Sequence, residues 1–252
     1  MPRWIYLGAL RSRLFGGNGL RKIRGRDLVV PIGAAPGDDV IVDTGSRVEL
    51  DVFQEILVDG IYPLDRLQFV PAMILDCGAN VGYFASACRV RFPKAKIVCF
   101  EPDPDNFARL VGQPVLKTDV VHCEQSAVSA TDGTALLSGE GVGCTLEPPS
   151  AVEGRRIRTL NFATWITRHA QWPLLVKMDI EGHEAVVIET LRNAWGYPCA
   201  LFLETHATGG QDEKILIDLQ QAGFNMQLSR TRALTGDARI FKEYVGHRAA
   251  AH

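Results

Sequence analysis

Acidic residues stand at the ends of predicted strands, where an α/β fold holds its ligands. Asp76 closes the apolar run Met73 to Cys77, and Glu101 follows the run Lys96 to Phe100. Between them lies the turn Asp76-Cys77-Gly78-Ala79-Asn80-Val81-Gly82. A carboxylate after the second strand of such a unit accepts from ribose hydroxyls, and glycines let a ligand approach the backbone. Gly78 and Gly82 are therefore read as cofactor-binding, with Asn80 either reaching the ligand or capping the next helix. The G-x-G-x-x-G spacing that seats a pyrophosphate is missing, because Asn80 stands where its second glycine belongs. Asp76 would also repel a phosphate. The same charge suits a nucleoside carrying an ammonium and a sulfonium, which is the chemistry of S-adenosylmethionine, and Asp76 is read as holding the amino group.

A second group lies further on, in Lys177-Met178-Asp179-Ile180-Glu181-Gly182-His183-Glu184 and Leu203-Glu204-Thr205-His206. Asp179 sits at the end of a predicted strand and faces the crevice at the carboxyl edge of the sheet, as both a cofactor-binding and a catalytic candidate. Methyl transfer to an alcohol needs a base, worth about 10²–10⁴ in rate. Asp179, Glu204 and His206 are the candidates, with Asp179 and Glu204 ranked first. Lys177 and Asp179 share parity and so point to one face, which makes Lys177 a buried partner rather than a catalyst. Glu181 and Glu184 open the following helix, where capping explains them as well as catalysis does. His183 is read as rim.

The elements that must position these groups alternate. Strands are predicted at 73–77, 96–100, 120–124, 174–180 and 199–203, with helices at 81–91, 105–111, 162–168 and 213–221. Continuous apolar runs of this kind suit parallel strands covered on both faces. Extra strands are expected at 135–137 and 157–160, and a hairpin from 224–229 and 238–244 ends the chain. This is a doubly wound, Rossmann-like α/β sheet, mostly parallel, with an antiparallel C-terminal hairpin strand. Residues 1–50 read as an accessory segment and 51–252 as the catalytic domain.

The segments D-x-G-A-N-x-G-x-F from Asp76 and F-E-P-x-P-x-N-F from Phe100 resemble the FkbM family of S-adenosylmethionine-dependent methyltransferases. Lys177 to Glu184 is similar to that family's K-x-D-x-E-G-x-E. Val52-Phe53-Gln54-Glu55-Ile56 with Gly60-Ile61-Tyr62, and Leu203-Glu204-Thr205-His206, add further likeness, so that residues 50 to 206 are covered. One departure is Asn161, where the family commonly has aspartate, and no catalytic role is carried onto it. The resemblance implies the class I methyltransferase fold and O-methylation of a hydroxyl on a sugar, glycolipid or secondary metabolite. It also places Ser126 and Ala127 beside the adenine. Two other readings stand beside it: a non-catalytic nucleoside-binding module on the same fold, and a dehydrogenase. The dehydrogenase lacks support, since no tyrosine has lysine four residues later.

Composition narrows the partners. The chain has 252 residues and net charge −2, which gives no nucleic-acid signature. No apolar run approaches the roughly 20 residues of a membrane span. The cysteines form no C-x-x-C pair and no metal site is expected, with Asp179, Glu204 and His206 the residues that leave one open. Buried reduced cysteines point to the cytoplasm. Arg3, Arg11, Arg13, Arg21, Lys22, Arg24 and Arg26 precede the first acid, Asp27. That segment reads first as a solvated helix face with an accessory strand, and second as peripheral contact with an anionic membrane or glycan intermediate. Residues 138–154, rich in Gly and Pro, read as a substrate lid or a plain surface loop.

Overall fold

The structure, a computed structural model, describes residues 21–22, 26–138, 145–147, 154–206, 211–233 and 240–248. Most of the basic N-terminal segment and most of the 138–154 loop lie outside the described residues.

Strands β1 (Arg21–Lys22), β2 (Asp27–Pro31) and β3 (Asp39–Asp43) form a small antiparallel sheet. Helix α1 (Arg47–Phe53) follows and runs on as a π-helix over Gln54–Asp59. Then come β4 (Met73–Cys77), α2 (Tyr83–Arg91), β5 (Lys96–Phe100), α3 (Pro104–Gly112) and β6 (Val121–Glu124). A second small sheet is built from β7 (Ala127–Ser129), β8 (Gly133–Ser138), β9 (Thr145–Glu147) and β10 (Arg155–Asn161). The chain continues through α4 (Phe162–His169), β11 (Leu174–Met178), α5 (Glu184–Thr190) and β12 (Cys199–Thr205). It ends with α6 (Gln211–Gln221), β13 (Phe224–Ala233) and β14 (Ile240–Arg248).

The central sheet has the order β13-β14-β12-β11-β4-β5-β6. Strands β12, β11, β4, β5 and β6 run parallel, and β14 joins antiparallel to β12 and β13. The expected sheet, with its antiparallel terminal hairpin, is therefore what forms. The order reverses at β4: β5 and β6 lie on one side of it, and β11 on the other. Ligands of doubly wound sheets bind at such a reversal, beyond the carboxyl ends of the strands.

Strand parity sorts the core. Met73, Leu75, Cys77, Leu174, Val176 and Met178 face one layer with Ile166, Val187 and Leu219 from the helices. Ile74, Leu175, Ala200 and Phe202 face the other, against Phe84, Ala85 and Cys88 of α2. On that second face each strand turns from apolar to ionic as it nears its carboxyl end: Ile74 then Asp76, Leu175 then Lys177, Phe202 then Glu204.

The segment expected to be accessory is packed into this second layer. Val30, Val40 and Val42 belong to the same apolar cluster as Ile74 and Phe84. Glu49 of α1 accepts from Tyr83 Oη at 2.7 Å, Asp43 N at 2.8 Å and Arg109 Nη2 at 2.6 Å. The expected boundary at residue 50 falls inside α1.

Candidate active site

Glu101 follows β5 and is 5% exposed. Its Oε2 accepts from the Asn80 amide at 2.7 Å and its Oε1 from the Asp103 amide at 2.9 Å. Burial raises this carboxyl to about 7, although both amides pull it down. The amides of Glu101 and Ser126 both donate to the Glu124 carbonyl, at 3.1 and 2.9 Å, so Ser126 stands next to Glu101. The buried Ser126 hydroxyl has no hydrogen-bond partner among the described residues.

The turn departs from its expected roles in physical detail. Asn80 does not cap α2, whose N-cap position is Gly82. Asn80 adopts a left-handed φ of 51°, and its side chain accepts from the adjacent Val81 amide at 2.7 Å. The glycines serve the protein's own packing as well as any ligand. A Cβ on Gly78 would lie 1.9 Å from the Asp179 carbonyl oxygen, and one on Gly82 would lie 2.7 Å from Leu110 Cδ1. Both have positive φ, 76° and 91°. Gly78→Ala should therefore cost about 3 kcal/mol or more in unfolding free energy, since backbone cannot swing aside. Gly82→Ala should cost less, because leucine ends can shift; urea denaturation of both variants checks the order.

Asp76 is fully buried. It lies beside Lys177, whose Nζ is 3.5 Å from Asp76 Oδ1 and 3.4 Å from Asp179 Oδ2. The same ammonium donates to the Gly78 carbonyl at 2.5 Å. Burial raises the Asp76 carboxyl even against Lys177. Lys177 would lose its proton on burial, but Asp179 and Asp76 outweigh that and push its pKa above the ordinary value. Lys177 is thus the buried partner that parity predicts, and it also pins the Gly78 turn to β11.

Asp179 follows β11 with its side chain about a quarter exposed. Tyr62 donates to its Oδ2 at 3.5 Å and stacks on Phe202. Asp179 Oδ1 lies 3.5 Å from His206 Nε2. The same nitrogen is 3.5 Å from Glu181 Oε2 and 3.8 Å from Glu204 Oε1. His206 Nδ1 meets Glu184 Oε1 at 3.0 Å. Burial alone would lower the His206 pKa, but Glu184, Asp179 and Glu181 raise it to about 10. Glu181 is raised to about 8, by burial and then by Asp179.

The three expected bases, Asp179, Glu204 and His206, therefore do meet. His206 lies at the middle of the cluster. Glu184 is 1% exposed and accepts from the Ile180 and Gly182 amides, each at 3.1 Å. It shapes the loop and orients His206, more than a cap would do. His183 pairs with Ser129 at 3.2 Å. Asp103 caps α3 through the Asp105 and Asn106 amides and also meets Arg155. Tyr62 was not singled out for the site, though the Gly60-Ile61-Tyr62 segment carried the signal. Asn161 caps α4 through the Thr164 amide.

The residues present fit a nucleoside bearing positive charge. Glu101 offers two carboxylate oxygens, the Ser126 hydroxyl is orphaned beside it, and carboxylates dominate the far side of the turn. Residues 76–226 match the family model of the methyltransferase FkbM domain. The chain belongs to the FkbM methyltransferase family. The cofactor of that family is S-adenosylmethionine. Similar proteins include the hexuronic acid methyltransferase AglP of Haloferax volcanii, 28% identical over 144 residues, or 56% of this chain and 58% of AglP. The methyltransferase sdnD of Sordaria araneosa is 38% identical over 60 residues, 23% of each chain. The crystal structure of methyltransferase FkbM from Methylobacillus flagellatus KT superposes with a TM-score of 0.51 at 18% identity. It covers 73% of this chain and 46% of that one, so the shared FkbM fold spans only part of the longer protein. The chain spans about half the length of AglP and of the M. flagellatus enzyme. Among the described residues no helix is long and apolar enough to cross a membrane.

Proposed function

We propose that this FkbM-family chain is an S-adenosylmethionine-dependent O-methyltransferase acting on a hydroxyl of a sugar, glycolipid or secondary metabolite. One observation carries the reading: Glu101 and Asp179 stand at the carboxyl ends of the two strands that flank β4, joined by a single turn. Two inter-strand spacings separate those ends by about 10 Å, which matches the span of a nucleoside with its methyl-bearing end. The similarity to a hexuronic acid methyltransferase supports a sugar acceptor.

S-adenosylmethionine supplies an activated methyl group on sulfur. The chain's own residues align and shield. Glu101 and Ser126 would hold the nucleoside end. Asp76 acts at one remove, by fixing Lys177, which in turn fixes Asp179 and the Gly78 carbonyl. Asp179 would meet the acceptor, and Glu204 lies behind it. Alignment and exclusion of water give most of the gain in such a displacement.

Asp179→Asn should lower turnover by about 10²–10⁴ while changing S-adenosylhomocysteine affinity far less. Single-turnover kinetics on a panel of hydroxylated acceptors, with calorimetry alongside, separates the two. Equal loss of affinity with unchanged turnover would move Asp179 from the acceptor side to the cofactor side.

A further inference from the structure

We propose that Asp179, Glu181 and His206 form a binding site for one divalent metal ion, of the magnesium and manganese class. Ligand atoms of the three residues all lie within 4.8 Å of one another. His206 Nε2 is 3.5 Å from an oxygen of each carboxylate. That is long for a hydrogen bond, whose usual range ends near about 3.2 Å. It is close to the about 3.0–3.4 Å that separates neighbouring donors sharing one ion at about 2.1 Å.

The surroundings orient each ligand as metal sites do. Glu184 is buried and engages His206 Nδ1 at 3.0 Å, which turns Nε2 toward the two carboxylates. A carboxylate behind a histidine is the outer-shell arrangement that fixes the ring and its tautomer for a metal. Lys177 and Tyr62 both engage Asp179 through Oδ2, so that Oδ1 is the oxygen facing His206. Glu181 holds a left-handed φ of 55°, which a non-glycine residue adopts only when its surroundings impose it. That conformation brings its carboxylate beside His206 instead of out along the loop.

Two carboxylates and one imidazole suit manganese or magnesium better than an all-sulfur or all-histidine site would. Sequence spacing hid the site, because its ligands come from two strand ends and a loop. An ion there would lie beside Asp179 and orient the acceptor oxygen. That consequence rests on the methyltransferase reading, whereas ion binding does not.

The test uses the full chain, freed of metal by a chelator and then titrated with Mn²⁺ alone. Loss of the free Mn²⁺ electron paramagnetic resonance signal reads the binding. One ion per chain is expected, weakened at least about tenfold in both Glu181→Gln and His206→Gln. Glu181→Gln is the safer variant, being partly exposed, and circular dichroism checks that each variant is folded. No saturable binding in folded parent chain up to about 1 mM Mn²⁺ would overturn the site. So would unchanged affinity in both variants. Calorimetry with S-adenosylhomocysteine on the same metal-free sample separates the two proposals. Nucleoside binding without Mn²⁺ binding removes the ion site alone. Mn²⁺ binding without nucleoside binding supports the ion site and counts against the methyltransferase reading.

Discussion

Lys177→Met is expected to lower the unfolding free energy by about 3–5 kcal/mol, read as a fall in the urea midpoint. Methionine replaces the apolar stem with an uncharged side chain one heavy atom shorter. It removes the ammonium that lies against Asp76, Asp179 and the Gly78 carbonyl. Asp76 is fully buried and must then hold an unpaired charge or take up a proton, and either is costly. The Gly78 carbonyl loses its donor as well. Adding Asp76→Asn should restore most of the loss, since no orphaned charge then remains. A single-variant loss below about 1 kcal/mol would mean the pair is effectively hydrated. A double variant no better than the single would assign the damage to Gly78 or Asp179.

S-adenosylhomocysteine should bind Glu101→Ala at least about 100-fold more weakly than it binds the parent chain. Two hydrogen bonds from ribose to a charged acceptor contribute about 1.5–3 kcal/mol each, and each tenfold in affinity is about 1.4 kcal/mol. The pH dependence has a definite sign. Burial lifts the Glu101 carboxyl to about 7, and ribose donors favour its ionised form. Affinity should therefore rise as pH climbs through about 7 and then level off. The same shift acts oppositely on the ligand-free fold. Between the unfolded value of about 4.3 and about 7 the folded chain binds more protons, so stability falls as pH rises through that window. Glu101→Gln cannot titrate and should give a flat affinity profile. A flat profile in the parent chain, measured by calorimetry across that range, would take Glu101 out of ribose binding.

Much of this was legible in the residues. The runs ending at Asp76, Glu101 and Asp179 announce parallel strands because they are apolar throughout, and strand ends are where a doubly wound sheet keeps its ligands. Parity alone placed Lys177 beside Asp179. What stayed hidden depends on contacts between distant segments. Asp76 has no visible partner in the sequence until β11 lays Lys177 across from it. His206 ranks below Asp179 and Glu204 as a candidate base from sequence, yet the loop after β11 folds back to surround it with Glu181 and Glu184. Gly78 looks like a ligand's glycine, yet the Asp179 carbonyl occupies the space a Cβ would need. Residues 1–50 read as an accessory segment, and only packing reveals that Val30 and Val40 line the same layer as Ile74.

Glu49 has a consequence for how this enzyme family member holds together as a machine. One carboxylate receives donors from β3, α2 and α3, the last two of which bracket the Glu101 strand. Residues 27–53 thus form part of a single cooperative unit with the nucleoside half of the sheet. A substitution that disturbs Glu49 is therefore expected to be felt at both ends of the Glu101 strand, and not only in the leading segment that carries it.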